Sequence, residues 1–350
     1  MPASSFPLIA VTLGDPGGIG PEVTVKALGR MVKEKVHRKA RFILIGPPEI
    51  YESWNQKLKS RLSFESILLL DRKKLKPGRI YILDLSTALP SIPANVPGRI
   101  PLRVIPSSYA VGEISRNNAF LAYASLRVGA YLAACGLVDG LVTAPVHKEA
   151  MRLVDEGFVG HTEYLAGVSK TRDVAMMFDG GPVKITLVTV HVPLNEVSAA
   201  LTRRDIEIKI QLTDRFLKKF YKIKKPRIAV SALNPHGSEF GAEEKRKILP
   251  AIRSARRKGI TADGPFPGDT LFHEACRAGY HAAVFMYHDQ GLAPLKAVAF
   301  DRAVNLTLGL PFIRTSPDHG TAFDLAGRGK ADERSMAAAL RTAVTLCRSL

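Results

Sequence analysis

Three histidines each follow a short apolar run. His191 closes Val188-Thr189-Val190-His191, His236 lies in Leu233-Asn234-Pro235-His236-Gly237, and His288 lies in Phe285-Met286-Tyr287-His288-Asp289-Gln290-Gly291. Apolar runs of this length read as buried strands, so the three imidazoles are expected where strands end. Three strands of one sheet bring their ends to one edge. Three protein ligands with one open position is how a catalytic divalent cation is held. Against this, a lone histidine past a strand is more often a satisfied loop or core residue. No HxxxH spacing ties any two of them to one helix face. On spacing alone both readings stand.

Two further groups suit an anion. Gly160-His161-Thr162-Glu163 joins a glycine and two hydrogen-bonding side chains at an expected helix start. Backbone N–H groups there favour phosphate, although the pattern is equally that of a plain cap by Thr162 with Glu163 on the helix dipole. Arg314 follows the apolar Leu310-Pro311-Phe312-Ile313, and its guanidinium can fork onto a phosphate or carboxylate. Lys296 and Asn305 lie nearby in the chain with side chains of the right kind. Taken singly, each of these three reads as a surface residue. Near the amino terminus, Leu13-Gly14-Asp15-Pro16-Gly17-Gly18-Ile19-Gly20-Pro21-Glu22 reads as a strand end, a tight turn and a helix start. Its spacing is not GxGxxG, and the next strand runs into Gly46-Pro47-Pro48 rather than an acidic residue, so the Rossmann fingerprint is rejected.

The elements that must carry these residues alternate in kind. Short apolar runs over 8–12, 42–45, 80–83, 140–143, 184–190, 227–232 and 283–286 read as strands, and amphipathic stretches over 21–33, 119–134, 204–220, 243–258 and 336–347 read as helices. That alternation predicts α/β layering, with ligands gathering outside the carboxyl ends of strands. Residues 89–106 are rich in proline and are expected to wind over the surface. A chain of 350 residues is long enough for two domains. No run approaches about 18 apolar residues, so no membrane span is expected, and the first residues lack the pattern of a signal peptide. Cys135, Cys276 and Cys347 are odd in number and widely spaced, as expected of reduced thiols in a cytoplasmic protein. The net charge of +18 admits an anionic partner or a basic solvated surface. Its basic runs carry few aromatics, so no nucleic-acid partner is expected.

Seven motifs occur in order: Gly14 to Glu22; Thr143-Ala144-Pro145-Val146-His147-Lys148; Gly160 to Glu163; Leu233 to His236; Gly264-Pro265 with Asp269-Thr270-Leu271-Phe272; Tyr287-His288-Asp289-Gln290-Gly291-Leu292; and Asn305 to Ser316. Together they closely resemble the 4-hydroxythreonine-4-phosphate dehydrogenase family of pyridoxal phosphate biosynthesis, from about residue 8 to the end. Residues 46–118 match it poorly. The resemblance implies one divalent metal (zinc, magnesium, manganese or cobalt) on His191, His236 and His288. It implies substrate contacts at His161 and Thr162 on the phosphate side and at Lys296, Asn305 and Arg314, with Asp269 near the reacting centre. It further implies a homodimer whose site lies at the subunit boundary, with metal ligands from both chains.

The fold implied is a two-domain α/β/α architecture like that of isocitrate and isopropylmalate dehydrogenases, with non-Rossmann dinucleotide binding. The division expected is 1–130 with 285–350, holding the adenosine loop, and 131–284, holding metal ligands and dimer contacts. Asp318 to Gly329 resembles the adenosine loop of those enzymes. Through that likeness His319, Gly320, Thr321, Ala322 and Asp324 are cofactor residues, and Asp324 on the ribose hydroxyls favours NAD, with NADP the alternative.

The activity implied is NAD-dependent oxidation of 4-phosphohydroxy-L-threonine to 2-amino-3-oxo-4-phosphooxybutanoate, then decarboxylation to 3-amino-2-oxopropyl phosphate. Asp269 or Lys296 is the base. The alternatives are a related dehydrogenase of phosphorylated threonate or erythronate and, from another class, a three-histidine metallohydrolase of phosphate esters.

Overall fold

The structure is a computed structural model that describes residues 6–93, 96–97, 105–106 and 108–349. The first five residues and half of the proline-rich stretch expected to wind over the surface thus lie outside the described residues. Two compact units form: Met1–Arg172 with Leu310–Arg348, and Asp173–Gly309. The expected boundaries at 130/131 and 284/285 differ from these. The helix Arg116–Ala134 runs unbroken through 130, and the strand Ala282–Phe285 passes directly into the helix His288–Ala299. Residues 131–172 therefore stay with the first unit and 285–309 with the second.

The first unit is built on β1 (Leu8–Thr12), β2 (Arg41–Ile45), β3 (Phe64–Ile67), β4 (Ile80–Leu83) and β5 (Gly140–Val142). The second holds β6 (Ala175–Asp179), β7 (Lys184–Leu187), β8 (Arg227–Ser231), β9 (Thr261–Phe266), β10 (Ala282–Phe285) and β11 (Val304–Leu308). The chain then returns to the first unit as β12 (Ile313–Pro317).

In the first unit the order is β3-β4-β2-β1-β5-β12, and the pairings are parallel. Every residue of β1, β2, β4 and β12 is buried. Strands covered on both faces read as continuous apolar runs, and three of these four do. The helix Gly20–Lys33 begins straight after the glycine turn, with Pro21 in its first turn and a buried stripe of Val23, Ala27 and Met31 against the helix Arg334–Arg348. The helix Arg116–Ala134 is capped by Ser115, whose Oγ accepts from Asn118 N at 3.1 Å, and it packs on β1, β2 and β5. From it Ser125 reaches the ends of two strands: its Oγ donates to Ile45 O at 2.7 Å and accepts from Leu13 N at 2.8 Å.

In the second unit the order is β11-β6-β7-β10-β8-β9. β11, β6 and β7 pair antiparallel in turn, and β7, β10, β8 and β9 pair parallel. Side chains alternate between two cores, as the period of two in a strand requires. Ile228, Val230, Ala282 and Val284 join Ile206, Ile210 and Ile252 on one face. Ala229, Ala283 and Phe285 join Leu271, Leu292 and Leu295 on the other. The unit is a sheet between two helical layers.

The expected strands form, several ending earlier than read; the longest expected run, 184–190, leaves the ladder after Leu187. β3, β6, β9, β11 and β12 were not expected. β9 contains Gly264-Pro265 and β12 carries Arg314, Thr315, Ser316 and Pro317, so neither looks like a strand by composition. The expected helix over 243–258 opens as a π-helical turn, Glu244–Ile248, before Leu249–Arg257. The cysteines are unpaired, as expected. Among the described residues no helix is long and apolar enough to cross a membrane.

Gly291 lets the helix His288–Ala299 lie close on its sheet. A Cβ there would meet Ile185 Cγ2 at 2.8 Å, Leu187 Cδ2 at 2.9 Å and Phe285 Cβ at 3.2 Å. Gly291→Ala is expected to destabilise the protein by about 1–3 kcal/mol through overpacking. Urea denaturation with an unchanged midpoint would contradict so close an approach.

Candidate active site

His191, His236 and His288 all belong to the second unit. They follow β7, β8 and β10, and β10 lies between the other two with parallel pairing on both sides. The three histidines therefore leave one edge of three neighbouring strands, as expected from the sequence. His191 and His236 are exposed and His288 is half-buried. His236 has a left-handed backbone, φ 55°, which turns the loop sharply after Pro235. His288 Nδ1 lies 2.7 Å from Asp289 Oδ1. A carboxylate on one ring nitrogen fixes the orientation of a histidine and leaves Nε2 as a ligand.

Against the loops of His236 and His288 lies a cavity of about 490 Å³ lined by Asn234, Pro235, Asp269, Tyr287, Asp289 and Gln290 among others. Asp269 sits exposed in the first turn of the helix Gly268–Arg277. Lys296 is half-buried on the helix His288–Ala299. Asn305, on β11, holds its Oδ1 buried with no hydrogen-bond partner among the described residues.

The first unit carries the anion-seeking residues. Arg314 is buried on β12, 3% exposed, contrary to its surface reading in isolation, and its Nε and Nη2 donate to Thr143 Oγ1 at 3.1 and 2.7 Å. Burial pushes its pKa down to about 10, against the pull of Glu163, so it stays charged at neutral pH. His161 opens the helix His161–Val168, and its Nε2 is buried without a partner among the described residues. Burial, and then the nearby charges of Arg314 and Lys148, hold its pKa well below 6.5. A neutral imidazole, a buried guanidinium and a helix N-terminus make a cradle for a phosphate. Thr162 is buried in the same first turn.

The loop 318–331 is bound to the glycine turn of the same unit. Ile19 N donates to Thr321 O at 2.9 Å, and a Cβ on Gly18 would lie 2.6 Å from that oxygen. Lys26 Nζ donates to Glu22 Oε1 at 2.7 Å, Gly329 O at 2.8 Å and Ala331 O at 2.7 Å, and Glu22 Oε1 also accepts from Ala331 N. Within the loop Thr321 is buried, Ala322 is left-handed at φ 41°, and Gly320 and Asp324 are exposed. His319 Nδ1 faces Gly320 O at 3.0 Å, while its Nε2 is buried without a partner.

Residues 38–343 match the family described as pyridoxal phosphate biosynthetic protein PdxA. The chain is a member of the PdxA family. It is 41% identical over 340 residues to the 4-hydroxythreonine-4-phosphate dehydrogenase of Desulforapulum autotrophicum, covering 96% of this chain and 94% of that one. It is 38% identical over 342 residues to the D-threonate 4-phosphate dehydrogenase of Salmonella typhimurium, covering 97% and 98%. The crystal structure of the 4-hydroxythreonine-4-phosphate dehydrogenase from Klebsiella pneumoniae superposes with a TM-score of 0.82 at 36% identity, covering 97% and 99%.

Several polar residues hold these groups or their loops without having been assigned a role from sequence. Thr143 anchors Arg314, and its signal was its place at the end of β5. Asp15 is fully buried in the glycine turn. Its Oδ1 accepts from Gly17 N at 2.8 Å, its Oδ2 has no partner, and burial raises its pKa. Glu244, also fully buried, accepts through Oε1 from the backbone N–H groups of Leu233 and Asn234, both at 2.9 Å, and so holds the loop of His236. Beside it Glu243 accepts from Ser198 and Asn234, which hold its pKa near about 2.

The His161 pKa carries a sign. A folded value below 6.5 means that the neutral ring contributes stability that is complete above about 6.5 and lost as pH falls towards the folded value. Between about pH 7.5 and pH 5 the Tm of the wild type is expected to drop further than that of His161→Asn. Equal slopes would show that the ring is not buried in its neutral form.

Proposed function

We propose that the chain oxidises 4-phosphohydroxy-L-threonine to 2-amino-3-oxo-4-phosphooxybutanoate, which then loses carbon dioxide to give 3-amino-2-oxopropyl phosphate, a step of pyridoxal phosphate synthesis. It is a dehydrogenase, as its PdxA relatives are. The observation that carries the reading is the nearness of buried, charged Arg314 to neutral His161, whose Nε2 makes no bond among the described residues. Arg314 is a buried cation close to His161, at the N-terminus of the helix His161–Val168, a setting that suits an anion.

In this reading His161, Thr162 and Arg314 take the phosphate, and Lys296 and Asn305 hold other substrate oxygens. Binding energy at the phosphate then orients the reacting carbon. Asp269 or Lys296 accepts the hydroxyl proton as the hydride leaves. His319, Gly320, Thr321, Ala322 and Asp324 form the dinucleotide loop; Asp324, exposed, suits ribose hydroxyls and so favours NAD over NADP.

The donor chemistry of His191, His236 and His288 fits a divalent cation: zinc, magnesium, manganese or cobalt. Their loops share one strand edge, and His288 already has an orienting carboxylate. Among the described residues no three His, Cys, Asp or Glu side chains of one chain are gathered to hold an ion. The proposed site takes ligands from two copies in a homodimer, as the resemblance to the family implies. When bound, the cation would supply Lewis acidity at the substrate hydroxyl and the nicotinamide a hydride acceptor. Such an enzyme works in the cytoplasm.

A second reading, oxidation of phosphorylated threonate, is favoured by the 38% identity to the D-threonate 4-phosphate dehydrogenase, close to the 41% of the other relative. Both substrates carry the phosphate and differ in the amine. NADH absorbance with each substrate, with and without chelator, separates them. Turnover of 4-phosphohydroxy-L-threonine that chelation abolishes is expected, and turnover of threonate phosphate alone would displace the first reading. His236→Ala is expected to lose turnover while keeping the fold by circular dichroism. Arg314→Met is expected to lower kcat/KM on the order of 10- to 100-fold. Full activity of Arg314→Met would remove the phosphate role.

A further inference from the structure

Past the ends of the parallel ladders in the second unit, hydrogen bonds continue sideways through the loops of the three histidines. β10 and β8 pair through Val284 and Val230 and then part. Beyond that point Thr189 N and Oγ1 both donate to Met286 O, at 3.1 and 2.8 Å. Met286 N donates to Gln290 Oε1 at 2.9 Å. Gln290 Nε2 donates to Ala232 O at 2.8 Å, and Ala232 N donates to Phe266 O at 2.7 Å. The run Thr189–Met286–Gln290–Ala232–Phe266 thus crosses the ends of β7, β10, β8 and β9. Thr189 and Met286 stand two residues before His191 and His288, Ala232 four before His236, and Phe266 three before Asp269.

The single side-chain bridge between β10 and β8 in this run is the Gln290 amide. An amide suits the place because it accepts from one strand and donates to the other. A carboxylate has no donor for Ala232 O, and an aliphatic chain leaves the Met286 N–H unpaired and Ala232 O with Ser231 Oγ in place of two donors. Gly268, next to Asp269, is moulded on the same group: a Cβ there would lie 2.6 Å from Gln290 Nε2.

We infer that Gln290 is a positioning residue for the cation site: it sets the spacing of the His236 loop, the His288 loop and the Asp269 turn without being a ligand. The inference rests on the metal reading proposed above. The role is that of an outer partner that fixes ligand geometry, and loss of such partners commonly weakens metal affinity about 10- to 100-fold.

The test is a Zn²⁺ titration of the full-length protein in competition with a chromophoric chelator. The variants are Gln290→Met, which keeps length and loses both bonds, and Ile252→Val, which thins the core of the same unit away from the amide. Gln290→Met is expected to bind Zn²⁺ about 10- to 100-fold more weakly, with Ile252→Val unchanged. Should Gln290→Met fail to fold, Gly268→Ala presses on the amide from the other side and is expected to weaken Zn²⁺ binding in the same direction. Wild-type affinity in Gln290→Met, or equal weakening in Ile252→Val, overturns the inference while leaving the metal reading intact. A wild type that takes up no divalent cation overturns both.

Discussion

Parallel strand pairing is the constraint on which the site depends. When β7, β10 and β8 run in one direction, the three loops that follow them emerge on one edge, and each carries a histidine. In the first unit β5 and β12 are parallel neighbours, so Thr143 and Arg314 come together. Sheet hydrogen bonds do this without any help from the polar residues themselves. The two buried cores hold the strands between helices, and where the ladder ends backbone groups need other partners.

Those partners explain much of the polar side-chain usage near the site. Ser125 bonds the ends of β1 and β2. Glu244 takes the free N–H groups of the His236 loop. Lys26 and Glu22 take the carbonyls and one N–H of residues 329–331. Each is a polar group placed where backbone would otherwise be left unsatisfied, and each holds a loop rather than a ligand. Buried polar networks that are fully bonded are stiff, which suits loops that must keep one shape. Asp15 Oδ2, His161 Nε2 and Asn305 Oδ1 are different: they are buried and unpaired. Atoms of that kind are costly in a folded chain and need an explanation, and a bound ligand is one.

Much of the scaffold was legible in the chain. The runs Leu8–Thr12 and Ile80–Leu83 read as strands and form with those bounds, because strands buried on both faces are apolar throughout. β12 was not legible. It is fully buried yet written Ile313-Arg314-Thr315-Ser316-Pro317, and its polar side chains find partners in Thr143 and the carbonyl of Ala339. β9 was hidden by Gly264-Pro265, and the unit boundaries by a helix and a strand that run through the expected breaks. Nothing in the spacing of Gln290 or Glu244 singled them out, since their partners are backbone groups 58 and 11 residues away in the chain.

The order and type of residues alone determined the α/β layering, the placement of three histidines past strands and the membership of a family whose motifs run the length of the chain. These depend on local hydrophobic period and on residue identity, which a linear reading contains. Folding decided which strands became neighbours, that Arg314 is buried rather than solvated, and that His161 is neutral. Burial and neighbouring charge set those states, and both come from segments far apart in the chain that meet when the sheets close.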